Sequence, residues 1–193
     1  KIHRRFGSLR SLARADILLN SSVTNFSFDK FYVFNSKLNG CIVPNEKNLV
    51  AGPSVIASSI PTNSISSSTP IEYSVAETQR RTFEHEIYLY ESSAPSVNDP
   101  TSATAIVVGG YYGSDTTPSY YRLDFLEKDN ISYKDILRNY KYQIVVNSVS
   151  GRGYPTPEDA FKSLPINMNI EVRAWDDGQA GSVDFGDQYY ISF

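Results

Sequence analysis

Two stretches in the last third of the chain alternate apolar and polar residues with a strict period of two. Tyr140, Tyr142, Ile144 and Val146 fall on one face, with Lys141, Gln143 and Asn147 opposite; Ile166, Met168, Ile170, Val172 and Ala174 alternate with Asn167, Asn169, Glu171 and Arg173. Successive side chains of extended backbone point to opposite faces, so this pattern demands strands with one buried and one wetted side. Between the two runs lies Thr156-Pro157-Glu158-Asp159-Ala160-Phe161. Thr156 as N-cap, Pro157 at the first helical position and acids in the first turn predict a short helix near 157–163.

Strand signals recur upstream. Leu12 to Asn20 reads as a first strand, and Phe26 to Phe34 as a second that is apolar on both faces for part of its length, as a central strand would be. Phe83, His85, Ile87 and Leu89 alternate with Glu84, Glu86, Tyr88 and Tyr90; further strands are expected at Ala103–Gly110 and Tyr120–Phe125. Asn39-Gly40 marks a turn, and the Ser/Pro/Asn-rich stretch from Asn48 to Pro70 reads as a long surface excursion. The aromatic content, 14 Tyr and 10 Phe against one Trp, suits pleated, half-buried surfaces. The expected fold is therefore an all-β antiparallel sandwich of seven or more strands, spanning 12–193, behind a basic lead-in over 1–11 that carries Lys1, Arg4, Arg5 and Arg10. The chain opens on Lys1 rather than Met, so any targeting segment is expected to lie outside it.

The function classes thin out quickly. With 18 Lys+Arg against 21 Asp+Glu, the net charge of -3 offers no basic surface to displace counterions from a nucleic acid. Cys41 stands alone, which excludes an intramolecular disulfide, and its neighbours do not activate it. Of the two histidines, His3 and His85, the second sits by pattern on the apolar side of a strand and reads as a core or edge residue rather than a ligand. No Gly-x-Ser-x-Gly elbow accompanies it, and Gly109-Gly110-Tyr111-Tyr112-Gly113 is followed by neither Lys-Ser/Thr nor a helix pattern, so its glycines point to a bulge or a strand end. Asp176, Asp177, Asp184 and Asp187 match no calcium loop and read as a solvated turn. Asn20, Asn25 and Asn130 open glycosylation sequons by letter. The expectation is a chain with no catalytic residues, no metal and no cofactor. A carbohydrate-binding module is the competing class, with Trp175 and several tyrosines as its stacking platform; it would need an exposed, coplanar aromatic pair.

Read in order, several phrases resemble the C-terminal domain of the fimbrillins, the type V pilins and Mfa-like fimbrial proteins of Bacteroidales. They are Leu12-Ala13-Arg14-Ala15-Asp16-Ile17, Phe31-Tyr32-Val33-Phe34-Asn35, Gly40 with Pro44, Ile87-Tyr88-Leu89-Tyr90-Glu91 and Ile106-Val107-Val108-Gly109-Gly110-Tyr111-Tyr112. Tyr120-Tyr121-Arg122-Leu123-Asp124-Phe125, Leu137-Arg138-Asn139-Tyr140-Lys141-Tyr142, the run Gly151 to Ala160 and Val172-Arg173-Ala174-Trp175-Asp176 complete the succession. The resemblance implies a transthyretin-like, Greek-key sandwich, export as a lipoprotein to the outer face of the cell, and assembly into fimbriae by donor-strand exchange. The implied partners are other fimbrial subunits and host or bacterial surface ligands. Membrane attachment would come only through a lipid anchor on an N-terminal part. The lipobox cysteine and N-terminal domain of the family pattern have no counterpart in these residues.

The C-terminal segment Gln188-Tyr189-Tyr190-Ile191-Ser192-Phe193 places Tyr189, Ile191 and Phe193 on one face at period two. A strand of that pattern can plug alternating pockets at a sheet edge. It is a candidate donor strand, or else the closing strand of the domain's own sheet.

Overall fold

The computed structural model describes residues 12–40, 64–95, 99–127 and 132–176. Eight strands and one helix follow in chain order: β1 (Ala13–Leu19), β2 (Phe26–Phe34), β3 (Ile71–Ser74), β4 (Thr82–Leu89), β5 (Ala105–Tyr112), β6 (Ser119–Leu123), β7 (Tyr140–Val149), α1 (Pro157–Lys162) and β8 (Met168–Asp176). They form two four-stranded sheets, with orders β4-β1-β7-β8 and β3-β2-β5-β6. The expected all-β sandwich is what the chain builds. It differs from the purely antiparallel expectation at one place: β1 and β7 run parallel, with Arg14 opposite Lys141 and Leu19 opposite Val146. Parallel neighbours need a long crossover, and here the chain between these two strands builds the entire second sheet.

The inward residues of the two sheets make one core. Ile17, Phe28, Phe31, Ile87, Ile106, Val108, Leu123, Ile144 and Val146 are fully buried. Each such side chain stabilises the fold by about 1.5–3 kcal/mol relative to exposure. Aromatic rings bind the layers to each other: Phe31 of β2 stacks on Phe83 of β4 with centroids 4.6 Å apart, and Phe125 meets Tyr142 edge-on at 5.3 Å. The Tyr142 hydroxyl donates to the Asp135 carbonyl at 2.9 Å and accepts from the Leu137 amide at 2.8 Å, so its one polar atom is satisfied. Burial pushes this phenol well above the usual tyrosine range.

The period-two runs pair as β7 and β8, with Ile144 opposite Val172 and Val146 opposite Ile170. Two details differ from the sequence expectation. The second strand starts at Met168 rather than Ile166, after Asn167 adopts a left-handed backbone (φ 54). Met168 and Ile170 are only half-buried, because β8 is the last strand of its sheet. The expected strand over Tyr120–Phe125 ends at Leu123, and that over Ala103–Gly110 runs from Ala105 to Tyr112.

The helix lies where capping chemistry placed it. Thr156 Oγ1 accepts from the Asp159 amide at 3.1 Å, while Asp159 takes the Thr156 hydroxyl proton at 2.7 Å. The helix lies on the outer face of the second sheet, where Phe161 stacks on Phe34 with centroids 4.4 Å apart and Ala160 joins Ala105 and Val107 in a second small core. Arg122 of β6 holds it there. One guanidinium nitrogen donates to the Phe161 carbonyl at 2.5 Å, another to Asp124 at 2.8 Å, and the cation sits 5.2 Å above the Phe161 ring. Burial raises the Asp124 carboxyl, and Arg122 only partly offsets it.

The glycine pair, expected at a bulge or a strand end, stands on β5 opposite a bulge in β2. Gly110 pairs with Phe28 and Gly109 with Lys30, leaving Asp29 as an extra residue on β2. A Cβ on Gly110 would collide with the Phe26 ring and the Ser27 carbonyl, so glycine is required by this close approach.

Candidate functional site

Strand order leaves four edges: β4 and β8 in the first sheet, β3 and β6 in the second. An edge exposes a row of backbone donors and acceptors, which is both a hazard and a binding device. Three of the four are blunted, each in a different way.

The β6 edge is partly covered by the chain itself. Tyr120 and Tyr154 exchange backbone hydrogen bonds of 2.9 and 2.8 Å, and Gly153 passes so close beneath the Tyr120 carbonyl that no side chain would fit. The β3 edge is four residues long and carries Glu72, paired with Lys30 at 2.5 Å.

The β4 edge is broken from within. Ala15 pairs with Ile87 and Ile17 with Phe83, so Asp16 alone stands opposite residues 84–86, two more than a regular ladder would place there. His85 takes a left-handed backbone (φ 64), which costs a non-glycine residue about 1–3 kcal/mol. It is exposed, which corrects its expected place on the apolar side beside Ile87 and Leu89: the inserted residues let Phe83 and Ile87 stay inward while His85 turns out. Asp16, 0% exposed, takes the His85 amide proton on Oδ1 at 3.0 Å. Its Oδ2 lies 3.3 Å from Arg14 Nε and 3.2 Å from Lys141 Nζ. Arg14 Nη1 meets His85 Nδ1 at 3.1 Å, and since arginine only donates, that ring nitrogen is the acceptor of this contact. Arg14 and Asp16 are both buried at this bulge.

The β8 edge differs. It is nine residues long and, among the described residues, is paired only on its β7 side. Where its ladder with β7 shifts, between Val146 and Ser148, the extra residue Asn147 belongs to β7, so β8 itself stays regular. Val172 is buried, and half-buried Met168 and Ile170 pack against the core, leaving apolar surface beside backbone groups that have no partner strand among the described residues. Glu171 and Arg173 pair at 2.8 Å on its wetted face, and the guanidinium holds the Glu171 carboxyl below its ordinary range.

Among the described residues, the remaining candidates do not come together in one place. Tyr189, Ile191 and Phe193, the face of the candidate donor or closing strand, lie outside the described residues, as do Cys41, His3, the lead-in over 1–11, Asn130, Asp177, Asp184 and Asp187. Trp175 lies on β8 opposite Lys141, its side chain outside the description. Stacked rings at Phe31–Phe83 and Phe34–Phe161 lie inside the two cores, and Tyr32 meets Tyr120 at 66° rather than coplanar. The sequon amides of Asn20 and Asn25 donate within the fold, to Asn147 at 3.3 Å and to the Val149 carbonyl at 2.9 Å. Among the described residues no group of three or more His, Cys, Asp and Glu gathers, and no helix is long and apolar enough to cross a membrane.

No protein-family model matches the chain, and no curated relative matches it. Solved structures do. A candidate cell adhesion protein from Parabacteroides distasonis superposes with TM-score 0.46 at 15% identity, over 87% of this chain and 59% of that one. A second, from Bacteroides eggerthii, gives 0.46 at 13%, over 86% and 56%. Another from P. distasonis gives 0.43 at 15%, over 91% and 54%. The chain thus spans under two thirds of the length of each. The two sheets and their strand order, rather than this likeness, define the fold.

Proposed function

We propose that this chain is a structural subunit of cell-surface fimbriae that joins its neighbours by strand addition, with β8 as the accepting edge. The observation that carries the reading is the contrast between edges: β8 is long, regular and flanked by half-covered Met168 and Ile170, while β3, β4 and β6 are short, bulged or covered. An incoming strand would complete the backbone ladder and bring apolar side chains onto that surface, main-chain bonds supplying affinity and alternating pockets supplying specificity. The candidate donor is the C-terminal segment, with Tyr189, Ile191 and Phe193 as the inserted face. The stacked rings enclosed in the cores favour a structural subunit over a carbohydrate-binding module.

The test is electron microscopy of the full-length protein after trypsin treatment, with and without residues 189–193. For a donor strand, deletion abolishes filaments and leaves the monomer's Tm nearly unchanged. A monomer that loses several kcal/mol on deletion would assign the segment to the domain's own sheet, since three apolar side chains would leave its core.

A further inference from the structure

We propose that Arg14, Asp16 and His85 form a latch that closes the β4 edge to strand addition and so directs assembly to the β8 edge of the same sheet. The purpose of the latch rests on the strand-addition reading; its existence does not. Three observations support it. The inserted residues at 84–86 sit on the edge strand itself, whereas the irregularity beside β8 sits on β7. An incoming strand reads backbone groups at a fixed two-residue repeat, so an insertion on the edge destroys the repeat and one on the inner strand does not.

Second, the bulge is held rather than relaxed. His85 keeps a positive φ, uncommon for any residue with a side chain, and its amide is bound to Asp16 at 3.0 Å while its ring accepts from Arg14 at 3.1 Å. A strained conformation persists only where its surroundings over-determine it. Third, the holding group is costly. A fully buried carboxylate in a central strand needs charged partners, and Arg14 from β1 and Lys141 from β7 supply them. An uncharged residue at that position would suit an ordinary three-strand ladder, so the buried charge has its rationale in the bulge it anchors.

Deleting His85 and Glu86 together with Asp16→Thr would restore a regular ladder, leaving Glu84 between Phe83 and Ile87. The expected result is a concentration-dependent association in sedimentation velocity beyond that of the unaltered chain under the same conditions, with at least tenfold slower hydrogen exchange at the outward amides of β4. A folded variant that sediments as the unaltered chain does, with β4 amides still exchanging freely, overturns the proposal. If that variant does not fold, Asp16→Ala, which removes the acceptor of the His85 amide, decides. The His85 amide should then exchange at least tenfold faster relative to β5 amides, whereas equal acceleration at both sites refutes the latch. Association at β4 in a chain that never forms filaments would sink the fimbrial reading and leave the latch standing; filaments from the unaltered chain with a monomeric deletion variant would do the reverse.

Discussion

Replacing Ile144 and Ile170 by alanine, one at a time, separates a central strand from an edge. Ile144 is 0% exposed on β7, flanked by Ile17 and Val172 in register. Alanine removes three carbons, about 2.4 kcal/mol of transfer free energy at ~0.8 per methylene. The flanking strands are fixed by ladders on both sides and close the gap poorly, so a cavity contribution brings the expected cost to about 3–4 kcal/mol. Ile170 faces the same core from β8 but is half-buried. Roughly half the transfer term applies and solvent fills the vacated space, which gives about 1–1.5 kcal/mol. For a domain of this size the two variants should lose about 6–16 °C and about 2–6 °C in Tm. Chemical and thermal unfolding followed by circular dichroism measures both, with Asn169→Ala on the wetted face as the control, expected within about 0.5 kcal/mol. Equal losses at Ile144 and Ile170 would mean that β8 is covered on its outer side in the monomer. If assembly lays a strand along β8, as proposed, Ile170 becomes covered and its alanine penalty should grow on assembly while that of Ile144 stays constant.

Thr156→Ala removes the cap of α1 and should cost about 1 kcal/mol, read by thermal unfolding. Gly110→Ala forces a methyl into the Phe26 ring and the Ser27 carbonyl and should destabilise by at least about 1–3 kcal/mol; Gly113→Ala meets open space, and its cost is limited to about 1 kcal/mol of left-handed strain (φ +59). Breaking the Arg122–Asp124 pair with Arg122→Met leaves a buried carboxylate unpaired and should cost about 3–5 kcal/mol at neutral pH, less in acid where Asp124 takes a proton. Burial raises the Tyr142 phenol and pushes Tyr32 up to about 12. A folded-state value above the unfolded one, near 10, gives stability that is fully present below about pH 10 and lost as pH rises through the folded value. Tyr142→Phe should flatten that alkaline loss in melts recorded between about pH 9 and 11, and an unchanged slope would exclude Tyr142 as its source.

Local pattern determined a good deal here. Period-two alternation placed β7 and β8, Thr156-Pro157 placed α1, and the Gly109-Gly110 pair pointed to a bulge or a strand end, because each depends on backbone geometry and neighbours within a few residues. Tertiary structure decided what depends on which strands become neighbours. The parallel pairing of β1 with β7 joins residues more than a hundred positions apart, and no local signal encodes it. Ile170 shares the alternation of Ile144, yet only strand order makes one half-buried and the other fully so. His85 fits an apolar face by counting, and Asp16 a wetted one. The two inserted residues in β4 exchange their environments, turning the histidine out and sealing the carboxylate in. Alternation records which face a side chain takes in a regular strand; a bulge or an edge, set by partners distant in sequence, decides whether that face is covered.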